Sequence, residues 1–144
     1  MSQYLPGTRV IAMSHTEDDV LYIFGFGVYE GDFLSPGVDL DAEVVTLRTW
    51  EENELAKPGG IMREIASLTG KPPAPHSDDQ LRQIAEQMNQ NPRIRLDNGK
   101  IVWGYECWWG NAGDFENSPD KSQYRKIIEI DIDEQRAKFK RSLN

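Results

Sequence analysis

Cysteine is almost missing from this 144-residue chain: Cys107 stands alone. No internal disulfide can form, and a reducing compartment fits. Histidine is nearly as scarce. His15 and His76 are the only two, and neither has a second ligand type at metal spacing, so no structural metal site is expected. No apolar run approaches the ~18–20 residues that span a bilayer, and residues 1–7 lack the pattern of a signal peptide. A cytoplasmic protein away from membranes is the expectation. Positive charge is short as well: 16 Lys and Arg face 24 Asp and Glu, for a net charge of -8 and a pI near 4.7. That balance argues against long nucleic acids and anionic membrane surfaces as partners.

The length suits one domain, residues 1–144, with enough surface burial for a single core. The charge is uneven. Residues 1–90 hold 6 basic and 15 acidic side chains, whereas residues 91–144 hold 10 basic and 9 acidic, together with three of the four tryptophans. An anionic or aromatic ligand would draw most of its contacts from the second part.

The hydrophobic pattern predicts an α+β fold: a twisted antiparallel sheet with a helical insert over about 40–90 and a C-terminal helix. Thr8–Met13 and Val20–Glu30 read as a hairpin around a polar turn over Ser14–Asp19. Gly25 and Gly27 would share one face of its second strand. A turn-rich loop over Gly31–Leu40 follows. The segment 43–56 carries strand-like residues but also helical spacing of Leu40, Val44 and Leu47, and leans to helix before Pro58-Gly59-Gly60. A second helix is expected over Ile61–Leu68, stopping at Gly70, then a Pro-rich connector over 71–76. A third opens with a capping box of Ser77 and Gln80 and carries a stripe of Leu81, Ile84, Ala85 and Met88. Pro92–Asp97, a two-residue Asn98-Gly99 turn and Lys100–Trp109 read as a second hairpin. A loop through Gly110 and Pro119, a strand over Ile127–Ile132 and a helix over Asp133–Leu143, acidic first and basic last, complete the pattern.

No catalytic motif stands out. The glycines near residue 27 are followed by no Gly-Lys-Ser/Thr and match no dinucleotide fingerprint. No nucleophile elbow is present. Cys107, beside two tryptophans, reads as a packed strand residue. The carboxylate pairs Asp18-Asp19, Glu51-Glu52 and Asp78-Asp79 read as solvated or capping groups. The most unusual stretch is Ile101–Gly110, IVWGYECWWG. As one strand it would place Trp103, Tyr105, Cys107 and Trp109 on one face and Glu106 and Trp108 on the other. Such aromatics serve either as core or as a stacking platform for a base. Glu106 is a candidate acceptor for a ribose hydroxyl or exocyclic amine. Arg93, Arg95 and Arg125 are candidates for phosphate, since guanidinium forks donate in pairs, although edge-strand charge is the commoner role. Asn91 would read a polar edge, and Gly27 and Gly31 would allow close approach of a ligand to backbone. No cofactor is called for.

The segments GTRVIAM, YIFGFGVYEGD and NPRIRLDNGKIVWGYECWWG, within residues 7–34 and 91–110, resemble a family of small phage proteins, the anti-defence sponges of the first Thoeris-inhibitor type. The resemblance implies binding without turnover: homo-oligomers that sequester cyclic ADP-ribose isomers, some members also holding cyclic oligonucleotides. Residues 40–90 find no counterpart in it. The expectation is therefore a non-enzyme that sequesters a cyclic nucleotide in the infected host's cytoplasm. The alternatives are a protein-binding inhibitor or immunity module using the acidic insert, and a nucleotide hydrolase using Glu106 or His15 as base.

Overall fold

A computed structural model describes residues 4–57, 68, 70 and 75–142, with the backbone alone at Asp120. The chain divides into two compact units. One joins Met1–Phe33 to Asn91–Asn144, and the other is Leu34–Gln90.

The first unit is built on a six-stranded sheet in the order β4 (Ile101–Trp103), β3 (Gln90–Leu96), β2 (Val20–Leu34), β1 (Arg9–Glu17), β5 (Trp108–Asn111), with β6 (Lys126–Glu129) added to β2, giving the expected α+β class. Strands β1 (Arg9–Glu17) and β2 (Val20–Leu34) pair antiparallel. The polar stretch expected to turn over residues 14–19 stays extended to Glu17, because the turn itself takes only Asp18 and Asp19. Their φ values of 51° and 64° make a two-residue turn whose twist matches the strands. β2 likewise runs on through Gly31–Leu34, which had read as loop.

β2 shares one edge between two partners. Its start, Val20–Ile23, pairs in parallel with β6 (Lys126–Glu129). Farther along lies β3 (Gln90–Leu96), where the Asp97 N–H donates to the Phe26 carbonyl at 2.9 Å. Gly25 sits at the handover, with φ +136° and with Glu129 and Leu96 side chains within 4.0 Å of where a Cβ would be. The β1 register slips there, from Ala12↔Gly25 to Met13↔Ile23, and slips again between Met13 and His15. These bulges break side-chain alternation. Phe24 packs with Val10, Ala12, Tyr29, Ile94, Leu96, Val102 and Ile132 in one core. Phe26 instead joins Ile11, Leu21 and Ile23 on the other. The slip falls before Gly25; past it Ala12↔Gly25, Ile11↔Phe26 and Val10↔Gly27 stay in register, so Gly25 and Gly27 share one face, as expected. Each large apolar side chain so buried contributes about 1.5–3 kcal/mol.

The second hairpin differs from expectation in two ways. Its turn has three residues, Asp97–Gly99, closed by Leu96 N–H to Lys100 C=O at 2.8 Å, with Gly99 at φ +87°. Strand β4 (Ile101–Trp103) also stops early. At Gly104 a Cβ would lie 2.8 Å from the Pro92 ring, and the Glu106 carboxylate accepts the Trp103 N–H at 3.0 Å. The chain turns once as a 3-10 helix, Gly104–Glu106, and β5 (Trp108–Asn111) crosses to pair with β1, Ala12 opposite Trp109. The single strand expected over Lys100–Trp109, with its two aromatic faces, does not exist.

Helix α3 (Ala112–Asn117), capped by the Asn111 side chain on Asp114 N–H, and a 3-10 segment over Pro119–Gln123 occupy what had read as loop. Ile130 continues beyond β6 with its N–H on Ile23 C=O, but Ile132 opens the C-terminal helix α4 (Ile132–Ser142) instead of ending a strand. Asp133 and Glu134 at its start and Lys140 and Arg141 at its end suit the dipole, as expected.

In the second unit, residues 40–56 are helical, as the spacing of Leu40, Val44 and Leu47 suggested. Asp39 caps this helix, labelled α1 (Leu40–Ala56), by accepting from Ala42 N–H. Helix α2 (Asp78–Met88) has the Ser77–Gln80 capping box and buries Leu81 and Ala85. The two helices pack together, with Arg82 on Asp41 at 2.8 Å and Arg48 on Asp78. The carboxylate of Glu51 is buried and accepts from both the His76 backbone N–H and its ring. The stop at Pro58-Gly59-Gly60, the helix expected over 61–68 and most of the connector after it lie outside the described residues.

Candidate binding cavity

The bulges in the first hairpin do more than bend it. They turn Ser14, His15 and Phe24 toward α4, where a cavity of about 590 Å³ opens within the first unit. Ile132, Gln135, Arg136 and Phe139 line it from α4 at one- and two-turn spacing. Tyr105 and Glu106 line it from the 3-10 turn that interrupts the aromatic segment. The volume falls in the range of small-molecule sites, roughly 300–1,000 Å³. Tyr105 and Phe139 are 59% and 66% exposed, which places them at its rim.

Glu106 organises this end of the cavity. Its carboxylate accepts from Arg136 Nε and Nη2, each at 2.7 Å, in addition to Trp103 N–H. Arg136 Nη2 also donates to Ile101 C=O at 2.9 Å, and Nη1 reaches Asp133 at 3.4 Å. The bonds from Glu106 push the Arg136 pKa further up, so the guanidinium stays charged and fixed in plane. Burial first and Glu106 second push the Tyr105 phenol up, which keeps it a neutral donor. Ser14 Oγ lies 2.8 Å from His15 Nδ1, and the His15 ring stacks on Tyr22 with centroids 4.7 Å apart. A smaller cavity of about 210 Å³ shares His15 and Gln135 and adds Glu17, Asp131, Glu134 and Lys138. Lys100 holds Asp131 at 2.6 Å and keeps its carboxyl below the usual range.

Of the residues proposed from the sequence to bind ligand, only Tyr105 and Glu106 line the larger cavity. The break at Gly104 separates the tryptophans, and the remaining candidates lie on other elements. Trp103 is buried and its ring lies parallel to Tyr105 at 6.4 Å. Trp109 packs on the first core, stacked on Tyr29 at 5.1 Å and tilted against Tyr4 at 5.5 Å. Trp108 is 72% exposed and lines neither cavity. Arg93 and Arg95 both donate from Nε to Glu30, at 3.1 and 3.2 Å, and Arg93 also covers the Phe33 ring at 3.7 Å. Asn91 is half-buried in β3, and Arg125 is exposed, with its backbone N–H on Asp19 C=O at 2.8 Å.

Neither Gly27 nor Gly31 lines the two cavities. A Cβ on Gly27 would lie 2.8 Å from Leu96 Cα and closer still to the Arg95 carbonyl oxygen, so its space is taken by the β3 backbone. Gly31 is buried at φ +117° beside Phe33 and Pro6. The residues that sequence reasoning missed are Ser14, Phe24, Ile132, Gln135, Arg136 and Phe139, while His15 had been noted only as a base. The spacing of Ile132, Gln135 and Phe139 on a helix was the available signal.

Cys107 is packed against the first core. Burial, and then Glu106, push its thiol up to about 12, and Sγ sits 3.6 Å from Trp103 C=O. Among the described residues, no three His, Cys, Asp or Glu side chains gather as a metal would need, and no helix is long and apolar enough to cross a membrane. Compared with known proteins, the chain matches no family model, no curated protein and no solved structure.

Proposed function

We propose that this protein is a non-catalytic binding protein that captures a cyclic nucleotide immune signal, a cyclic ADP-ribose isomer in the first instance, and so blunts bacterial anti-phage defence. The observation carrying this reading is the 590 Å³ cavity, whose lining joins the aromatic rings of Phe24, Tyr105 and Phe139 to the polar groups of Ser14, His15 and Gln135. Rings at the rim suit a base, and the polar groups suit its edge and its ribose. The likeness of residues 7–34 and 91–110 to sponge proteins supports the choice of ligand. A homo-oligomer in the infected cell's cytoplasm belongs to the same proposal.

The test is calorimetric titration with cyclic ADP-ribose isomers and cyclic oligonucleotides, followed by heating and mass spectrometry of what is released. Stoichiometric binding and intact ligand are expected. Phe139→Ala should weaken binding roughly 5- to 150-fold, the worth of one stacked base. Arg93→Ala and Trp108→Ala, away from the cavity, should bind like the parent. Absence of binding, or recovery of a converted product, refutes the proposal.

A further inference from the structure

Taking the cavity as the nucleotide site proposed above, we infer that it receives the uncharged base-and-ribose part of the ligand and excludes its phosphates, with Glu106 as the residue that sets this preference by positioning Arg136. Among the residues lining the larger cavity, Glu106 and Arg136 are the acid and the guanidinium, and they are paired with each other. The two guanidinium nitrogens that would grip a phosphate, Nε and Nη2, are spent on the Glu106 carboxylate, and Nη2 also on Ile101 C=O. The third, Nη1, leans on Asp133. What remains is one Nη1 N–H and the flat face of a charged plane; the face attracts a π-system, and a lone N–H offers an oxyanion no fork.

The adjoining smaller cavity strengthens the bias. It sets Glu17, Asp131 and Glu134 against Lys138, and Lys100 is already committed to Asp131 and Asp133. A phosphate reaching past Gln135 would meet carboxylates, whereas ribose hydroxyls arriving there are donors that carboxylates accept. An uncharged ring meets no such repulsion, since Tyr105 and Phe139 offer it stacking faces and Ser14, His15 and Gln135 offer polar groups to its edge. The phosphates of a cyclic nucleotide then stay at the mouth, in water.

The experiment titrates the full chain with adenosine, AMP and cyclic ADP-ribose at low and moderate salt. The parent should bind adenosine at least as tightly as AMP, with little salt dependence for adenosine. Glu106→Gln removes the charge that occupies Arg136. It should shift the AMP-to-adenosine affinity ratio toward AMP by about tenfold or more, the worth of one charge-assisted hydrogen bond, and make AMP binding salt-sensitive. A purely structural role for Glu106 would weaken both ligands alike and leave the ratio unmoved, which overturns the inference. If that variant does not fold, the parent still decides: a tenfold preference for AMP that collapses with salt refutes phosphate exclusion while leaving the binding function standing. Failure of all three ligands to bind the parent overturns both.

Discussion

Substituting Gly27 with alanine is the sharpest perturbation this fold offers. The added Cβ would lie 2.8 Å from Leu96 Cα and nearer still to the Arg95 carbonyl oxygen, and both are backbone atoms that cannot swing aside as a side-chain end can. Overpacking of this kind costs about 1–3 kcal/mol. Pushing β3 outward also strains the neighbouring Asp97 N–H to Phe26 C=O bond, worth about 0.5–1.5 kcal/mol. Together these give roughly 2–4 kcal/mol, a large share of the ~5–15 kcal/mol that holds a domain. At ~3 °C per kcal/mol for a chain of this length, the melting temperature should fall by roughly 6–12 °C. Circular dichroism on heating reads this directly. Gly110→Ala is the control, because its nearest neighbour would be Tyr4 Oη at 4.0 Å, and it should stay within ~1 kcal/mol of the parent. A Gly27→Ala protein that melts within ~2 °C of the parent, yet loses ligand, would refute the close-packing account and restore Gly27 to a binding surface.

Two further outcomes concern ionisable groups. The bonds from His76 hold the buried Glu51 carboxyl below its ordinary value, so its contribution is present above the usual carboxylate range and is lost as pH falls through that lowered value. Urea titrations from neutral to about pH 3 should show a steeper acid loss for the parent than for Glu51→Gln, and identical acid limbs would count against the pairing. His76→Ala should cost about 1–3 kcal/mol at neutral pH by leaving that carboxylate under-bonded. At about pH 8, Cys107 should carry about one thiolate per ten thousand thiols, given a value of about 12. Alkylation by iodoacetamide should be very slow in the native protein and complete in denaturant, whereas rapid native labelling would contradict its burial.

What could be read from the chain alone was local. The capping box at Ser77, the helix from Leu40 and the dipole-matched α4 each depend on residues within a few positions of one another. The β2 strand was legible from its β-branched and aromatic run, but its bulge was not, since the neighbours of Gly25 there, Glu129 and Leu96, come from strands about a hundred and about seventy residues away, respectively. The break at Gly104 has the same character: Pro92 occupies the place of a Cβ, and Glu106 is drawn to Arg136. Alternation alone extends IVWGYECWWG into one strand, and from that error followed the misplaced cluster of Trp103, Trp108 and Trp109. Tyr105 and Glu106 survive as site residues because the 3-10 turn carries them to α4. The arginines of β3 were chosen for charge, and Glu30, which takes both, comes from a strand sixty residues earlier.

The shared edge of β2 also sets an order of events during refolding. The first hairpin closes over two residues, Asp18 and Asp19, and should form in microseconds. Pairing Val20 with Lys126 must instead close a loop of about a hundred residues, at an entropic cost near 4 kcal/mol. That ladder rewards the chain late. Because α4 follows β6 after two residues, Gln135, Arg136 and Phe139 reach the cavity only when this distant closure is complete. Capture of ligand is therefore a property of the last step of assembly, and a stopped-flow trace should show binding lagging behind the hairpin's signal.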